Sequence, residues 1–197
     1  MGKHTRAILE QISDSIDSKT KLKREAEVIE KIAVSLIKAI NSGRTIFLLG
    51  NGGSAADAQH IAAELVGQYG HKIKRSGIPA IALTTNTSTI TAIGNDLSFD
   101  KIFYRQVEAF VKSGDVIIGI STSGKSKNVI EAIKLAKLKG ALAIAFTGKN
   151  KNPLSEICDI VLHAPSTSTQ RIQECHITVG HILCDLVENN LNNKFFH

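Results

Sequence analysis

A histidine and a glutamate lie four residues apart in this sequence, at a spacing that places both on one face of a helix. His60 and Glu64 fall in the run 55–67, which has helical periodicity, and residues four apart differ by only about 40° around a helix axis. An imidazole and a carboxylate held side by side are groups that commonly transfer protons to and from a substrate. This pair is therefore the first candidate for chemistry in the chain.

The stretch before this helix predicts a strand followed by a tight turn. Residues 45–49 are apolar and rich in β-forming types, and the turn 50–54 contains three glycines and ends in Ser54. Such a turn leaves backbone N–H groups at the start of a helix, where they bind phosphate well, and Ser54 adds a hydroxyl donor. We interpret it as a phosphate-binding turn whose ligand reaches His60 and Glu64 with its other end.

A second turn of the same kind follows a later apolar strand. Residues 121–126 carry four hydroxyl side chains within six residues and open another helix. Hydroxyl residues also cap helices for structural reasons, so this turn alone leaves both interpretations open. Two such turns on neighbouring strand ends favour phosphate binding. Neither turn matches the glycine-rich motifs of nucleotide hydrolysis or dinucleotide binding, which disfavours both functions.

The last helix carries a second polar group of residues. Gln170, Gln173 and His181 lie within a sector of about 80° around the helix, at about 100° per residue. A single histidine near a buried helical face is more often a core residue than a ligand, so His181 alone stays ambiguous. We interpret His71, His163 and His176 as structural, because none has a partner in the sequence.

The rest of the chain alternates between short apolar runs and helical runs. The predicted strands are 45–49, 79–84, 115–120, 141–146 and 158–162. The predicted helices are 3–18, 21–42, 54–66, a short one after 85–89, then 99–112, 127–139 and 168–190. Short continuous apolar strands separated by helices predict an α/β fold with a parallel sheet covered on both faces, whose ligands bind beyond the carboxyl ends of the strands. The two helices before the first strand have no sheet to cover yet, which favours packing on a neighbouring subunit.

Composition narrows the class of protein. The 197 residues are 43% apolar and 21% charged, which suits one globular domain. No apolar run is long enough to span a membrane, and the charged N-terminus has no apolar segment behind it, so we expect a cytoplasmic protein. The three cysteines, Cys158, Cys175 and Cys184, form no C-x-x-C pair, which indicates buried thiols. The net charge of +6 tolerates anionic partners, but 5% aromatic residues and no recognition motif disfavour nucleic acid.

Several of these segments together resemble a known family. Residues 50–60, 64–67, 94–96, 119–126 and 171–174 resemble the sugar isomerase (SIS) domain and, within it, the phosphoheptose isomerase family. The resemblance covers essentially the whole chain, as a single SIS domain with N-terminal helices over 1–42 and an α/β core over 43–197. It implies a flavodoxin-like three-layer sandwich with a five-stranded sheet and a homotetramer with active sites shared between subunits. It also implies conversion of D-sedoheptulose 7-phosphate to D-glycero-D-manno-heptose 7-phosphate, a precursor of bacterial surface glycans.

The resemblance also implies roles for individual residues. The phosphate would be held by Ser54, Ser121, Thr122, Ser123 and Ser126. The sugar would be lined by Asn51, Gly52, Gly53, Glu64, Asn95, Asp96 and Gln173. One zinc ion per subunit would be bound by His60, Glu64, Gln173 and His181. Gln170 stands where a relative can carry Asp, so its role in sugar binding is not assigned.

The chemistry of such an isomerisation agrees with these residue types. Moving a proton between C1 and C2 of a sugar through an enediol needs a base, a second acid–base group and stabilisation of the developing oxyanion. We assign Glu64 as the base and His181 as its acid–base counterpart. Zinc bound to two imidazoles, a carboxylate and an amide oxygen could polarise the carbonyl or only fix the geometry.

Two alternatives stay open at this point. A non-catalytic adaptor of the same domain binds the bacterial replication initiator DnaA, and residues 184–189 resemble its closing segment. That adaptor lacks the pair formed by Glu64 and His181, which is present here. A sugar-phosphate isomerase of the same domain that acts on a pentose or hexose phosphate is the other alternative, because chain-length specificity cannot be inferred from turns.

Overall fold

The structure, a computed structural model, describes residues 2–70, 75–191 and 195. The α-helices within these residues are α1 (Lys3–Leu22), α2 (Ala26–Asn41), α3 (Gly53–Val66), α4 (Thr87–Asp96), α5 (Tyr104–Phe110), α6 (Lys127–Leu138), α7 (Pro153–Ile157) and α8 (Thr169–Glu188). The strands are β1 (Ile46–Gly50), β2 (Ala80–Ala82), β3 (Val116–Ile120), β4 (Leu142–Thr147) and β5 (Ile160–His163). None of the described helices is both long enough and apolar enough to cross a membrane.

The five strands form one parallel sheet in the order β2-β1-β3-β4-β5. This is the strand order of flavodoxin-like folds, whose ligands bind where the order reverses, and the predicted fold class is confirmed. β1 and β3 are adjacent and in register, with Gly50 paired to Ile120 at their carboxyl ends. The turns after these two strands therefore begin side by side.

Helices cover both faces of the sheet because the strand side chains alternate in direction. In β1, Ile46 and Leu48 pack into a core shared with α2, α3 and α8. Phe47 and Leu49 point the other way, into a core shared with α5 and α6. The result is a three-layer sandwich, and the helices that carry His60 and His181 both lie in the same layer.

The two N-terminal helices behave differently from one another. Helix α2 buries Ile32, Leu36 and Ile40 in the core of the sheet, so it is a layer helix of its own chain. The premise that α2 has no sheet to cover is therefore wrong, whereas its packing on a neighbouring subunit stays a prediction. Only Ser18 and Leu22 of α1 are buried, which leaves most of that helix without a partner in its own chain.

Three local predictions differ from the observed elements. The predicted helix 99–112 is a 3₁₀ turn (Phe99–Lys101) followed by the shorter α5, which ends where Val111 adopts an extended conformation. Helix α7 was not predicted, although Asn152 and Ser155 form a capping box and Pro153 stands in the first turn, a typical helix start. Strand β2 is shorter than the predicted strand 79–84 and lies at an edge of the sheet.

His176 is a core residue, as its lack of a partner in the sequence indicated. The imidazole is fully buried against Phe146, and its Nε2–H donates to the carbonyl of Thr147 at 3.1 Å. Its Nδ1 has no hydrogen-bond partner among the described residues. Burial lowers the pKa of His176 from 6.5 to about 4, against the smaller opposing effect of the bond to Thr147. The ring is therefore neutral in the folded protein near pH 7.

We expect His176 to make the folded protein less stable in acid. The unfolded chain binds this proton near pH 6.5 and the folded chain only near pH 4, so the stabilisation is complete above pH 6.5 and lost as the pH falls toward 4. The difference corresponds to about 3 kcal/mol. Denaturant unfolding of wild type and His176→Gln between pH 7 and 4 should show this loss in the wild type only. The exposed control His4→Gln should keep the pH dependence of the wild type. Equal pH dependence in the wild type and His176→Gln would contradict the prediction.

Candidate active site

Helices α3 and α8 bring three of the predicted residues together. The Nε2 atoms of His60 and His181, which are 121 positions apart in the chain, lie 2.8 Å from one another. Glu64 Oε1 lies 3.4 Å from His60 Nε2, one helical turn along α3. One ligand atom from each of these side chains lies within 4.8 Å of the other two. The contact gives His181 a polar partner that the sequence alone did not show, and its functional role stays a prediction.

This cluster has the composition of a metal site. Two imidazole nitrogens and one carboxylate oxygen converge on one point, and such a set of three protein ligands with a further position left open is typical of zinc in enzymes. The side chains of His60 and Glu64 are 47% and 25% exposed, so a ligand can reach them. The donor set therefore fits the predicted zinc ion.

The two predicted turns form the walls of one cavity. It has a volume of about 320 Å³ and lies at the carboxyl ends of β1 and β3. All of the predicted phosphate and sugar residues of the two turns line it, together with the predicted Gln173 and two residues that were not predicted, Ile120 and Thr169. The turn residues are Asn51, Gly52, Gly53, Ser54, Ser121, Thr122, Ser123 and Ser126. None of these described lining residues is charged, so an anion in the cavity would be held by hydroxyl and N–H donors.

The hydroxyl-rich turn is held in shape by its own hydrogen bonds. Ser121 Oγ lies 3.1 Å from Ser126 Oγ, and the amide of Gly124 donates to Ser121 Oγ. Ser126 precedes α6 but makes no side-chain capping bond, so its hydroxyl is not used to begin the helix. The structural explanation for Ser126 as a cap is thereby weakened, and its hydroxyl stays available at the cavity.

A pair of amide side chains joins the two turns. Asn51 Nδ2 donates to Asn128 Oδ1, and Asn128 Nδ2 donates back to Asn51 Oδ1, each at 2.9 Å. Asn128 is buried in the first turn of α6 and also accepts from the amide of Val129. The sequence analysis missed Asn128, and its only signal was a polar residue directly before the apolar run of a helix. The pair fixes the spacing of the two cavity walls.

Gln173 connects the cavity to the cluster. A side chain on Gly53 would place its Cβ only 2.2 Å from Gln173 Nε2, so the amide of Gln173 sits directly over the glycine. Gln173 precedes His181 by eight residues on α8, which is roughly 12 Å along the helix. A ligand with a phosphate at one end and a carbonyl at the other could therefore extend from the cavity to the cluster.

Asp57 is a second residue that the sequence analysis missed. It lies on α3 between Gly53 and His60, and its Oδ2 is buried without a hydrogen-bond partner among the described residues. Burial raises the pKa of Asp57 to about 6, although the charge of His60 acts in the opposite direction. Its only sequence signal was its position one turn before His60.

Some predicted site residues are not brought to the cavity in this chain. Asn95 and Asp96 lie at the end of α4, exposed, with Asn95 Nδ2 donating to Asp96 Oδ1. Neither lines the cavity. Gln170 is exposed and accepts a hydrogen bond from Ser168 Oγ. The roles predicted for Asn95 and Asp96 stay predictions.

Within the described residues, His163 and the three cysteines lie outside the cluster and the cavity. His163 lies on β5 and donates from Nδ1 to the carbonyl of Gly148, and His71 lies outside the described residues. The cysteines form no disulfide. Burial raises the pKa of Cys158 and of Cys184 to about 12, so neither thiol is a reactive thiolate near pH 7.

Comparisons with known proteins agree with this geometry. The family model described as "SIS domain" matches residues 10–148. A phosphoheptose isomerase of Clostridium acetobutylicum is 50% identical over 184 residues, which is 92% of this chain and 93% of that protein. A phosphoheptose isomerase of Aquifex aeolicus is 56% identical over 163 residues, or 83% of this chain and 84% of that protein.

A solved structure extends the likeness to three dimensions. The phosphoheptose isomerase GmhA of Neisseria gonorrhoeae superposes with a TM-score of 0.90 at 38% identity, covering 95% of this chain and all of that one. The SIS domain match includes β1, α3 and β3, and with them His60, Glu64 and both turns of the cavity. The chain belongs to the SIS domain family and, within it, to the phosphoheptose isomerases, a family of enzymes.

Proposed function

We propose that the protein interconverts D-sedoheptulose 7-phosphate and D-glycero-D-manno-heptose 7-phosphate, a ketose–aldose isomerisation through an enediol. The observation that carries the proposal is the convergence of Glu64 and His181, from two helices far apart in the sequence, beside a cavity lined by hydroxyl groups. The product would supply heptose units for bacterial surface glycans.

The cavity would hold the phosphate end of the sugar. The hydroxyl groups of Ser54, Ser121, Thr122, Ser123 and Ser126 and the N–H groups at the starts of α3 and α6 are donors suited to phosphate oxygens. With no cation in the lining, binding depends on these directed donors and on the two helix dipoles. The sugar would then pass Asn51, Gly53 and Gln173 on its way to the cluster.

The proton transfer would take place at the cluster. Glu64 would remove a proton from one of the two carbons C1 and C2 and return it to the other, and His181 would exchange a proton with the neighbouring oxygen. Both groups come from rigid helices rather than loops, which favours the fixed geometry that acid–base catalysis requires.

Zinc is proposed as the metal of this cluster. His60, Glu64 and His181 would bind it. The fourth ligand implied by the resemblance, Gln173, has its amide over Gly53 at the cavity in this structure, so it would have to turn toward the cluster to reach the metal. Bound there, the ion would polarise the substrate carbonyl as a Lewis acid or hold the side chains in place. Glu64 would have to be free of the metal while it accepts a proton, so the two roles would alternate.

A homotetramer with shared active sites is the proposed assembly. Helix α1 exposes Ile8, Ile12 and Ile16, at intervals of four residues, with 52% to 61% of each side chain accessible. Such a stripe on a helix indicates a missing apolar partner. A shared site would also explain Asn95 and Asp96, which are exposed and do not line the cavity of their own chain. A cytoplasmic location stays a prediction of the sequence.

The substrate is tested directly by product analysis. Incubation with sedoheptulose 7-phosphate should give the aldose heptose 7-phosphate, identified by NMR, whereas ribulose 5-phosphate and fructose 6-phosphate should turn over far more slowly because they are too short to span cavity and cluster. Faster turnover of a shorter sugar phosphate would show that this shorter sugar, rather than the heptose, is the substrate. No turnover of any sugar, with capture of DnaA in a parallel pull-down, would favour the adaptor.

Replacement of Glu64 tests the base. Glu64→Gln keeps the shape of the side chain but cannot accept a proton, so we expect turnover to fall by roughly 10³-fold while substrate still binds. Isomer ratios followed by NMR measure the rate, and Glu27→Gln, an exposed carboxylate on α2, is the matched control. Near-normal turnover by Glu64→Gln would refute the assignment.

Metal analysis tests the cluster. Protein purified without added metal should contain about one zinc ion per chain, and His60→Gln or His181→Gln should lower this content strongly, because each removes one of few ligands. His4→Gln, on the exposed start of α1, should not change it. Full activity of thoroughly chelated, metal-free wild type would leave zinc at most a structural role.

A further inference from the structure

A buried ion pair lies behind the cluster, on the side away from the cavity. Arg75 Nε donates to Glu188 Oε2 at 2.7 Å, and only 1% and 4% of the two side chains are exposed. By contrast, every other ion pair between a lysine or arginine and a carboxylate among the described residues has at least one partner that is about one third exposed or more. Buried charges are costly unless they are fully paired, so this pair calls for a specific explanation.

Arg75 holds the end of the helix that carries the proposed base. Its Nη2 donates to the carbonyl of Glu64 at 3.0 Å, and its Nη1 donates to the carbonyl of Leu65 at 2.9 Å. Both carbonyls lie in the last turn of α3, where no following helical N–H donates to them. A cation at this end also interacts favourably with the helix dipole. The guanidinium thus caps α3 at the backbone of Glu64 itself.

Glu188 holds the corresponding end of the other helix. It is the last residue of α8 and follows His181 by seven residues, which places the two about 20° apart and roughly 10 Å along the same face. Its carboxylate accepts from the amides of Tyr69 and Gly70 as well as from Arg75. Burial alone would raise the pKa of Glu188, but these hydrogen bonds and the charge of Arg75 hold it below its usual value.

A second close contact between the helices lies at the level of the cluster. A Cβ on Gly180 would fall 2.7 Å from the Ile61 side chain, so the glycine lets α8 approach α3 next to His60 and His181. The spacing of α3 and α8 is therefore fixed at two points, by this apolar contact and by the ion pair. Glu64 and His181 lie between these two points, and His60 lies directly beside the first. Their separation is what matters for proton transfer and for a metal ion.

We infer that Arg75 and Glu188 are positioning residues of the active site, which set the distance of Glu64 and His60 from His181. Neither residue reaches the substrate or the metal; both act through the helices. Their value lies in geometry more than in stability, since buried ion pairs replaced by apolar residues often leave a protein equally stable. The inference rests on the proposed function for its kinetic part, whereas its metal-binding part stands on the cluster alone.

The test uses the full chain with both charges removed. In Arg75→Met/Glu188→Leu no buried charge is left unpaired, but the amides of Tyr69 and Gly70 and the carbonyl of Glu64 lose a partner. We therefore expect unfolding that is still cooperative but begins at a lower temperature than in the wild type. Because the cavity is untouched, KM should change little, whereas kcat should fall by about 100-fold, the effect of a displacement near 1 Å. Zinc affinity of the metal-free protein, measured by competition with a chromophoric chelator, should weaken at least about 10-fold.

The control is the ion pair of Lys137 and Asp159, which also joins two elements and includes a bond from Lys137 Nζ to a backbone carbonyl. Lys137→Met/Asp159→Leu should keep wild-type kcat and zinc affinity. If the Arg75 and Glu188 double variant does not fold, Arg75→Lys decides by the same measurements, because it keeps the charge but cannot donate to both carbonyls. Wild-type zinc affinity in a folded variant would overturn the inference. Absence of isomerase activity in the wild type would contradict the proposed function and leave the zinc titration as the test.

Discussion

The parallel packing of α3 against α8 is the constraint on which the candidate site depends. At the start of this contact Gly53 and Gln173 meet beside the cavity, and further along the two helices His60 meets His181. A small rotation or slide of either helix would change both contacts at once. The site is therefore a property of one helix pair. The sheet contributes by placing the two turns, which follow β1 and β3, next to these helices.

Charge is distributed unevenly around this helix pair. The described residues that line the cavity are neither acidic nor basic, so a ligand there would meet neutral donors. The cluster places a carboxylate beside two imidazoles, and a fully paired arginine and glutamate lie behind it. Neutral donors can bind an anion without an opposing charge in the protein, and the groups that exchange protons lie at a distance from the phosphate. This separation suits a reaction in which the phosphate contributes to binding but does not take part in the chemistry.

Much of this arrangement could be predicted from local patterns in the sequence, and the remainder depends on long-range contacts. The spacing of His60 and Glu64 and the two turns after strands are local features, so periodicity and turn chemistry were enough. The contact of Asn51 with Asn128 joins residues 77 positions apart, and that of Arg75 with Glu188 spans 113. No periodicity encodes such contacts. Helix α2 was misplaced for a similar reason, since a helix before the first strand can cover a sheet formed later in the chain.

The exchange of two equal hydrogen bonds between Asn51 and Asn128 has an evolutionary consequence. Changing either asparagine alone leaves the other with an unmatched donor and acceptor at a partly buried place, which is costly. Neutral drift at one position is therefore blocked unless the other changes at nearly the same time. We therefore expect Asn51 and Asn128 to have been either both kept or both replaced in related proteins.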